Sequence, residues 1–268
     1  YSLFECPNMS AKLIHCHPSD NELGKIYAPD LSLQASPNAM ATALASIKVA
    51  DDASRLNWLR AAKSSYDASY RVKAQPGDLD MGEVLAHLRD VIPENAIVTN
   101  GAGNFAIWPN KFLKFGPKGR LLAPQSGAMG YGVPAAIAAK LHDPSRFVLC
   151  FAGDGDFQMN GNELGSAMQA GLPLIVLIVN NGSYGTIRMH QERHYPERVS
   201  GTELVNPNFV TLAKAYGFYG ERVEKTEDFN AAFARACDSE TGAVLDLVVA
   251  TEAITPRQSI NDLRKTSI

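Results

Sequence analysis

Apolar positions along the chain follow two rhythms, and from residue 79 the rhythms alternate. Residues 81–92 (MGEVLAHLRDVI) put Val84, Leu85, Leu88, Val91 and Ile92 on one side of a predicted helix. Residues 96–101 (AIVTNG), 147–153 (FVLCFAG), 173–181 (PLIVLIVNN) and 243–251 (AVLDLVVAT) are nearly unbroken apolar runs of strand length. Helical patterns separate them: a Gly-rich entry into a helix at 126–142, then 160–171, 208–217 and 226–239. Asn160 and Glu163 have the spacing of a capping box. Strands without polar alternation are buried on both faces. Their alternation with helices predicts an α/β fold: a doubly wound, mostly parallel sheet with helices on both faces.

Upstream the pattern is weaker. Residues 11–17 read as a short strand, and 19–27 as an acidic-led helical stretch. Residues 35–47 read as a helix with Ser36 before Pro37 in its first turn. Residues 48–78 are polar and mostly helical in pattern, and end in Gln75-Pro76-Gly77-Asp78. That stretch reads as a linker into a new domain.

Composition narrows the function. Over 268 residues, hydrophobic content is 46% and charged content 20%, the profile of a globular protein. A net charge of −3 gives no electrostatic case for nucleic acid. No apolar run reaches the roughly 20 residues of a membrane helix, and Tyr1-Ser2-Leu3-Phe4 does not resemble a signal peptide. Cys6, Cys16, Cys150 and Cys237 form no CxxC pair, so a reducing, cytoplasmic setting is expected.

Three polar clusters directly follow apolar strands: 100–104 (NGAGN), Gly153-Asp154-Gly155, and Asn180-Asn181-Gly182. In such sheets, ligands bind beyond the carboxyl ends of the strands. Asp154 and Asn181 are 27 positions apart (154 to 181), one strand–helix–strand unit, so neighbouring strands would bring both to one point. A carboxylate, an amide oxygen and a backbone carbonyl form a hard, all-oxygen set suited to Mg²⁺ or Ca²⁺. Mg²⁺ completes its shell with phosphates and water, which predicts a phosphorylated cofactor. Gly153, Gly155 and Gly182 would allow close backbone approach to phosphates.

These residues resemble a known family. GDG with the second Asn of NN 27 positions on is similar to the signature of thiamine-diphosphate enzymes, most strongly the acetolactate synthase-like branch. IVTNGAGNFAIW, GAMGYGVPAAIAAK, GDGDFQMNGNEL and NNGSYGTIR resemble segments of that branch in the same order, across residues 80 to about 250. Residues 1–45 resemble the end of the family's middle domain. The resemblance implies residues 1–47 as the tail of a middle domain, 48–78 as linker and 79–268 as the thiamine-diphosphate domain.

It also implies roles. Asp154, Asn181 and the Ser183 carbonyl would hold Mg²⁺. Asn104 would contact the diphosphate, with Gly153, Gly155 and Gly185 also in the cofactor site. Gly127 would offer its carbonyl to the aminopyrimidine, and Met129 would be the apolar wedge that bends the cofactor. The substrate would be a 2-oxo acid, decarboxylated with the cofactor as electron sink. Arg188, His190 and Gln191, just past the cofactor motif, are candidate substrate contacts.

The family's catalytic relay glutamate sits on a pyrimidine-binding domain that nothing in this chain resembles. The implied partner is therefore that domain, of the same or a second subunit, in a homodimer or homotetramer. The chain alone would bind cofactor weakly and catalyse poorly. His17 and Ser19 stand where flavin-dependent members carry acidic residues, so FAD is not expected. His190 stands where a tryptophan selects the acceptor in acetohydroxyacid synthases. A decarboxylase without carboligation, of benzoylformate or pyruvate type, therefore stays open. So does a non-catalytic module that keeps the fold. A dehydrogenase reading fits poorly, because GAGNFA lacks the last glycine of GxGxxG.

Overall fold

The computed structural model describes residues 11–48 and 52–266. The chain forms two compact units, Tyr1–Ser65 and Tyr66–Ile268. In the first, β1 (Ile14–His17) and β2 (Leu31–Gln34) form a two-stranded parallel sheet. The helix α1 (Pro37–Ala45) starts where its cap predicts, with the Ser36 hydroxyl accepting the Ala39 N–H at 3.2 Å. The expected helix at 19–27 shrinks to one 3-10 turn, Asp20–Glu22. Ser19 makes no side-chain cap there, and Gly24 turns the chain away with φ +76°. The helix α2 (Ala53–Ser69) buries none of its residues, and the boundary between the units falls within its range.

The second unit opens with α3 (Met81–Val91), capped by Asp80, whose carboxylate accepts the Gly82 N–H at 2.7 Å. There follow β3 (Ile97–Asn100), α4 (Ile107–Phe112), β4 (Arg120–Leu122), α5 (Gly132–His142), β5 (Val148–Gly153), α6 (Asp154–Asn160), α7 (Leu164–Gln169) and β6 (Ile175–Asn180). The rest is α8 (Gly185–His194), α9 (Phe209–Ala215), β7 (Tyr219–Val223), α10 (Thr226–Cys237), β8 (Ala243–Val248) and α11 (Ile260–Thr266). Six strands form one sheet in the order β4-β3-β5-β6-β8-β7, and every pairing is parallel.

The unbroken apolar strands are explained by two separate cores. Val98, Leu149, Phe151, Leu177 and Leu245 pack with Leu85, Trp108, Phe229 and Phe233 from α3, α4 and α10. The alternate residues Val148, Cys150, Val176, Ile178 and Val244 pack with Val133, Leu164, Phe209 and Ala213 from α5, α7 and α9. Both sheet faces are covered, so neither can carry polar residues cheaply. Burial pushes the Cys150 thiol up to about 12, and it serves as a small hydrophobe.

The helix expected at 160–171 starts earlier. Helical structure begins at Asp154 in α6, passes through a 3-10 turn at Gly161–Glu163, and resumes in α7. No capping box forms, although Asn160 stands at the start of the 3-10 turn. Asn160 makes no cap bond, and its Nδ2 donates instead to the Gly130 carbonyl at 3.0 Å.

Near the C-terminus, α11 docks on α8 through Ile254, Ile260 and Leu263, with Met189 against them. A charged clamp joins the same helices: Arg264 donates to both oxygens of Glu192, from Nε at 2.9 Å and Nη2 at 2.6 Å. The Glu192 side chain is 0% exposed and that of Arg264 27%. Arg264 holds the Glu192 carboxyl below the usual carboxylate range. A lowered folded pKa means that the stabilisation is complete above the ordinary carboxylate range and lost as pH falls through the folded value. Glu192→Gln is expected to cost roughly 1–3 kcal/mol, less than a fully buried pair because Arg264 is partly solvated. Urea unfolding at falling pH checks this: the gap between wild type and variant should narrow as the Glu192 carboxylate is protonated.

Candidate cofactor site

Parallel pairing puts the carboxyl ends of all six strands along one edge of the sheet. Asn100 pairs with Phe151, Gly153 with Val179, and Asn180 with Val248, so β3, β5, β6 and β8 end side by side. The segments that follow them line one cleft. After β3 come Ala102, Gly103 and Asn104; after β5, Asp154, Gly155 and Asp156; after β6, Asn181, Ser183 and Gly185; after β8, Val249, Ala253 and Ile254. Met129 enters from the turn before α5, and Trp108 from α4.

Of the residues predicted from sequence, Asn104, Met129, Gly153, Asp154, Gly155, Asn181, Ser183 and Gly185 thus line one space. Gly127 does not line it and lies in an exposed turn with φ +68°. Arg188, His190 and Gln191 are also outside the lining. Arg188 lies 3.8 Å from Glu192, and Gln191 exchanges hydrogen bonds with the Ser200 backbone at 2.8 and 3.2 Å. His190 is exposed on α8.

Asp154 opens α6 and is buried. Its Oδ2 accepts from the Gly182 N–H at 2.9 Å and the Asn206 Nδ2 at 2.7 Å, and its Oδ1 from the Gly155 N–H at 3.0 Å. Burial raises its carboxyl above the usual range, while the Asn206 amide and the two backbone N–H groups pull it back. A chain of amides runs away from it. Asn206 Nδ2 also reaches Asn180 Oδ1 at 2.9 Å, and Asn180 Nδ2 donates to Asp246 Oδ1 at 2.9 Å. Asp246, buried in β8, has Arg222 at 3.5 Å. Asp154 is therefore oriented through three side chains from a loop and two strands.

Sequence reasoning did not single out Asn206, Asp246 or Asp156. Asn206 gives no local signal, since its partner lies 52 positions away. Asp246 gives one: a lone carboxylate in an apolar strand must be paired if it is buried.

Space at the glycines differs by position. A Cβ on Gly153 would lie 2.7 Å from the Phe105 ring, and one on Gly155 2.6 Å from Tyr184, so side chains of the protein fill that room. Gly182, with φ +64°, faces open space. A Cβ on Gly185 would lie 2.9 Å from Asn181 Nδ2.

Among the described residues no three His, Cys, Asp or Glu side chains gather to hold a metal ion. The cleft offers the Asp154 carboxylate, the Asn181 amide and backbone carbonyls. Beside Ser183 the antiparallel bridge to Glu203 is made by the Gly182 carbonyl and the Tyr184 N–H, not by the Ser183 carbonyl. Such a set fits a hard cation that takes its remaining ligands from phosphate and water.

Fold and site together define a cofactor-binding α/β domain with its polar cleft at the carboxyl ends of parallel strands. Residues 101–247 match the family model described as thiamine pyrophosphate enzyme, C-terminal TPP binding domain, and the chain belongs to that family. It is 39% identical over 169 residues to an acetolactate synthase large subunit of Parasynechococcus marenigrum, covering 62% of this chain and 27% of that protein. Against the acetolactate synthase large subunit of Corynebacterium glutamicum it is 32% identical over 257 residues, 91% of this chain and 41% of that protein. Against the acetolactate synthase isozyme 2 large subunit of Escherichia coli it is 29% identical over 233 residues, 86% of this chain and 42% of that protein. The chain thus spans less than half the length of these relatives.

Asn206→Ala removes the side chain that ties Asp154 to Asn180. Loss of a hydrogen bond to a buried carboxylate is expected to destabilise the unit by about 1.5–3 kcal/mol. Chemical denaturation of wild type and variant measures it.

Proposed function

We propose that the chain is the cofactor-binding portion of an enzyme that holds thiamine diphosphate and Mg²⁺ in this cleft, decarboxylates a 2-oxo acid and ligates the product to a second carbonyl. The observation that carries the reading is the meeting of Asp154 and Asn181, from adjacent parallel strands, in one cleft with Met129. The sheet order supports the doubly wound reading. From β3 the chain moves outward to β4, then returns past β3 to β5, so the cleft sits at the switch between them.

Asp154, Asn181 and the Ser183 carbonyl would hold Mg²⁺. Asn104, Gly182 and Gly185 would face the diphosphate, and Met129 the bend of the cofactor. When bound, thiamine diphosphate supplies the carbon nucleophile and the electron sink for decarboxylation. The chain's own contribution is orientation and exclusion of water. Asp154 is held by three hydrogen bonds, and Trp108, Val249 and Ile254 give the cleft an apolar wall.

The relay glutamate would come from a pyrimidine-binding domain of the same or a second subunit, in a homodimer or homotetramer. Residues 1–47 would be the tail of a middle domain and 48–78 the linker; the boundary between the compact units falls within that linker. Of the three α8 candidates, exposed His190 is the one we retain as a substrate contact.

Calorimetric titration of thiamine diphosphate into the chain tests the reading. Weak binding that needs Mg²⁺ and disappears with EDTA is expected, with Asp154→Ala weakening it by more than about tenfold. Equal affinity in wild type and Asp154→Ala would sink the proposal.

A further inference from the structure

α6 begins at Asp154 and ends at Asn160, and two of its side chains grip one residue, Gly130, through its N–H and its carbonyl. Asp156 Oδ1 accepts the Gly130 N–H at 2.8 Å, and Asn160 Nδ2 donates to the Gly130 carbonyl at 3.0 Å. Gly130 is buried with φ +83°, and a Cβ there would lie 2.7 Å from the Met159 Cβ. The backbone lies so close to the helix that no side chain fits between them. The residue before Gly130 is Met129, in the cleft.

Asp156 grips the segment after β3 as well. The same Oδ1 accepts the Ala102 N–H at 3.1 Å, and a Cβ on Gly101 would fall 2.0 Å from it. Two residues beyond Ala102 is Asn104, also in the cleft. One seven-residue helix therefore presents Asp154 directly and fixes the backbone beside the two other groups.

We infer that Asp156 and Asn160 are positioning residues: through Gly130 and Ala102 they set Met129 and Asn104 at fixed places relative to Asp154. The inference rests on the reading of the cleft as a thiamine-diphosphate site. In it α6 acts as a ruler between the metal end of the cofactor, at Asp154, and its organic end, at Met129. Asp156 Oδ1 is committed to two backbone amides.

The two side chains should fail differently. Asn160 touches only the Met129 side of the cleft, whereas Asp156 holds both sides. The test uses the full chain with Mg²⁺, titrated with thiamine diphosphate and separately with inorganic diphosphate. Asn160→Ala is expected to weaken thiamine diphosphate about fivefold and leave inorganic diphosphate unchanged. Asp156→Ala should weaken both about tenfold, and Asp156→Asn, which keeps an Oδ1 acceptor, should recover most of that loss.

Amide hydrogen exchange without any ligand gives an independent readout. Gly130 and Ala102 should exchange about tenfold faster in Asp156→Ala. Unchanged exchange there, or an equal loss of both ligands in Asn160→Ala, overturns the inference while leaving the site intact. A wild-type chain with no preference for thiamine diphosphate over inorganic diphosphate overturns the cofactor reading itself, and the positioning role with it. Should Asp156→Ala fail to fold, Asn160→Ala and Asp156→Asn decide the matter.

Discussion

Burial of both faces of a parallel sheet is the constraint on which the rest depends. β5 and β6 are apolar along almost their whole length because each face meets its own set of helices. A polar group inside such a strand loses its water and gains little in return. Polar chemistry is thereby displaced to where the strands stop. Parallel pairing then sends every strand to stop on the same edge, and the cleft forms where β3, β5, β6 and β8 end together. The site follows from how the core is closed rather than from any one motif.

That edge carries an electrostatic cost. Asp154, Asp156 and Asp246 are 3%, 3% and 2% exposed. Each accepts hydrogen bonds, and bonds to charged groups return about 1.5–3 kcal/mol each. Desolvation of an ion costs several kcal/mol, and here it wins: burial raises all three carboxyls above their ordinary range. Of the three, only Asp246 has a cation beside it among the described residues, Arg222 at 3.5 Å, and that side chain is half exposed. A buried carboxylate relieved only by amides gains from a bound divalent cation, which is why the proposed metal belongs beside Asp154. Asp156 answers the same problem differently, by holding two backbone N–H groups on one oxygen.

What was legible in the sequence followed from how local its cause was. Strands β5, β6 and β8 could be read because burial on both faces leaves an unbroken apolar run. β7 (YGERV) could not, since it is an edge strand whose Glu221 and Arg222 stay partly solvated; nor could β4, with only three residues. α1 was visible through Ser36, which caps it three residues from its partner, and α9 through its helical pattern, with Asn208 as the cap in the structure. α6 was obscured because glycines on both sides of Asp154 suggest a turn. Gly153 in fact supplies only the extended residue before the helix, with φ −76° and ψ 159°. Asp154 and Asn181 were within reach of spacing alone. Asn206 was not, because a loop amide that meets its carboxylate across 52 positions leaves no trace in local pattern.

The two sides of the cleft are held by different forces. On the side of β3, β5 and β6, backbone groups and tight glycines dominate: Gly182 N–H on Asp154, Gly130 and Ala102 on Asp156, and Gly185 against Asn181. A Cβ added at Gly101, Gly130, Gly153, Gly155 or Gly185 collides with protein. On the side after β8, Thr251 Oγ1 donates to the Asn181 carbonyl at 2.9 Å, and the Glu252 carbonyl accepts the N–H groups of Ile254 and Ile260. From there the segment runs into α11, whose hold on α8 is the Glu192–Arg264 clamp and a small apolar cluster. Backbone bonds within the segment and the side chains that dock α11 on α8 together set the position of Ala253 and Ile254. The β5–β6 side fixes one arrangement of groups, and the wall after β8 is tied to it where Thr251 meets the Asn181 carbonyl.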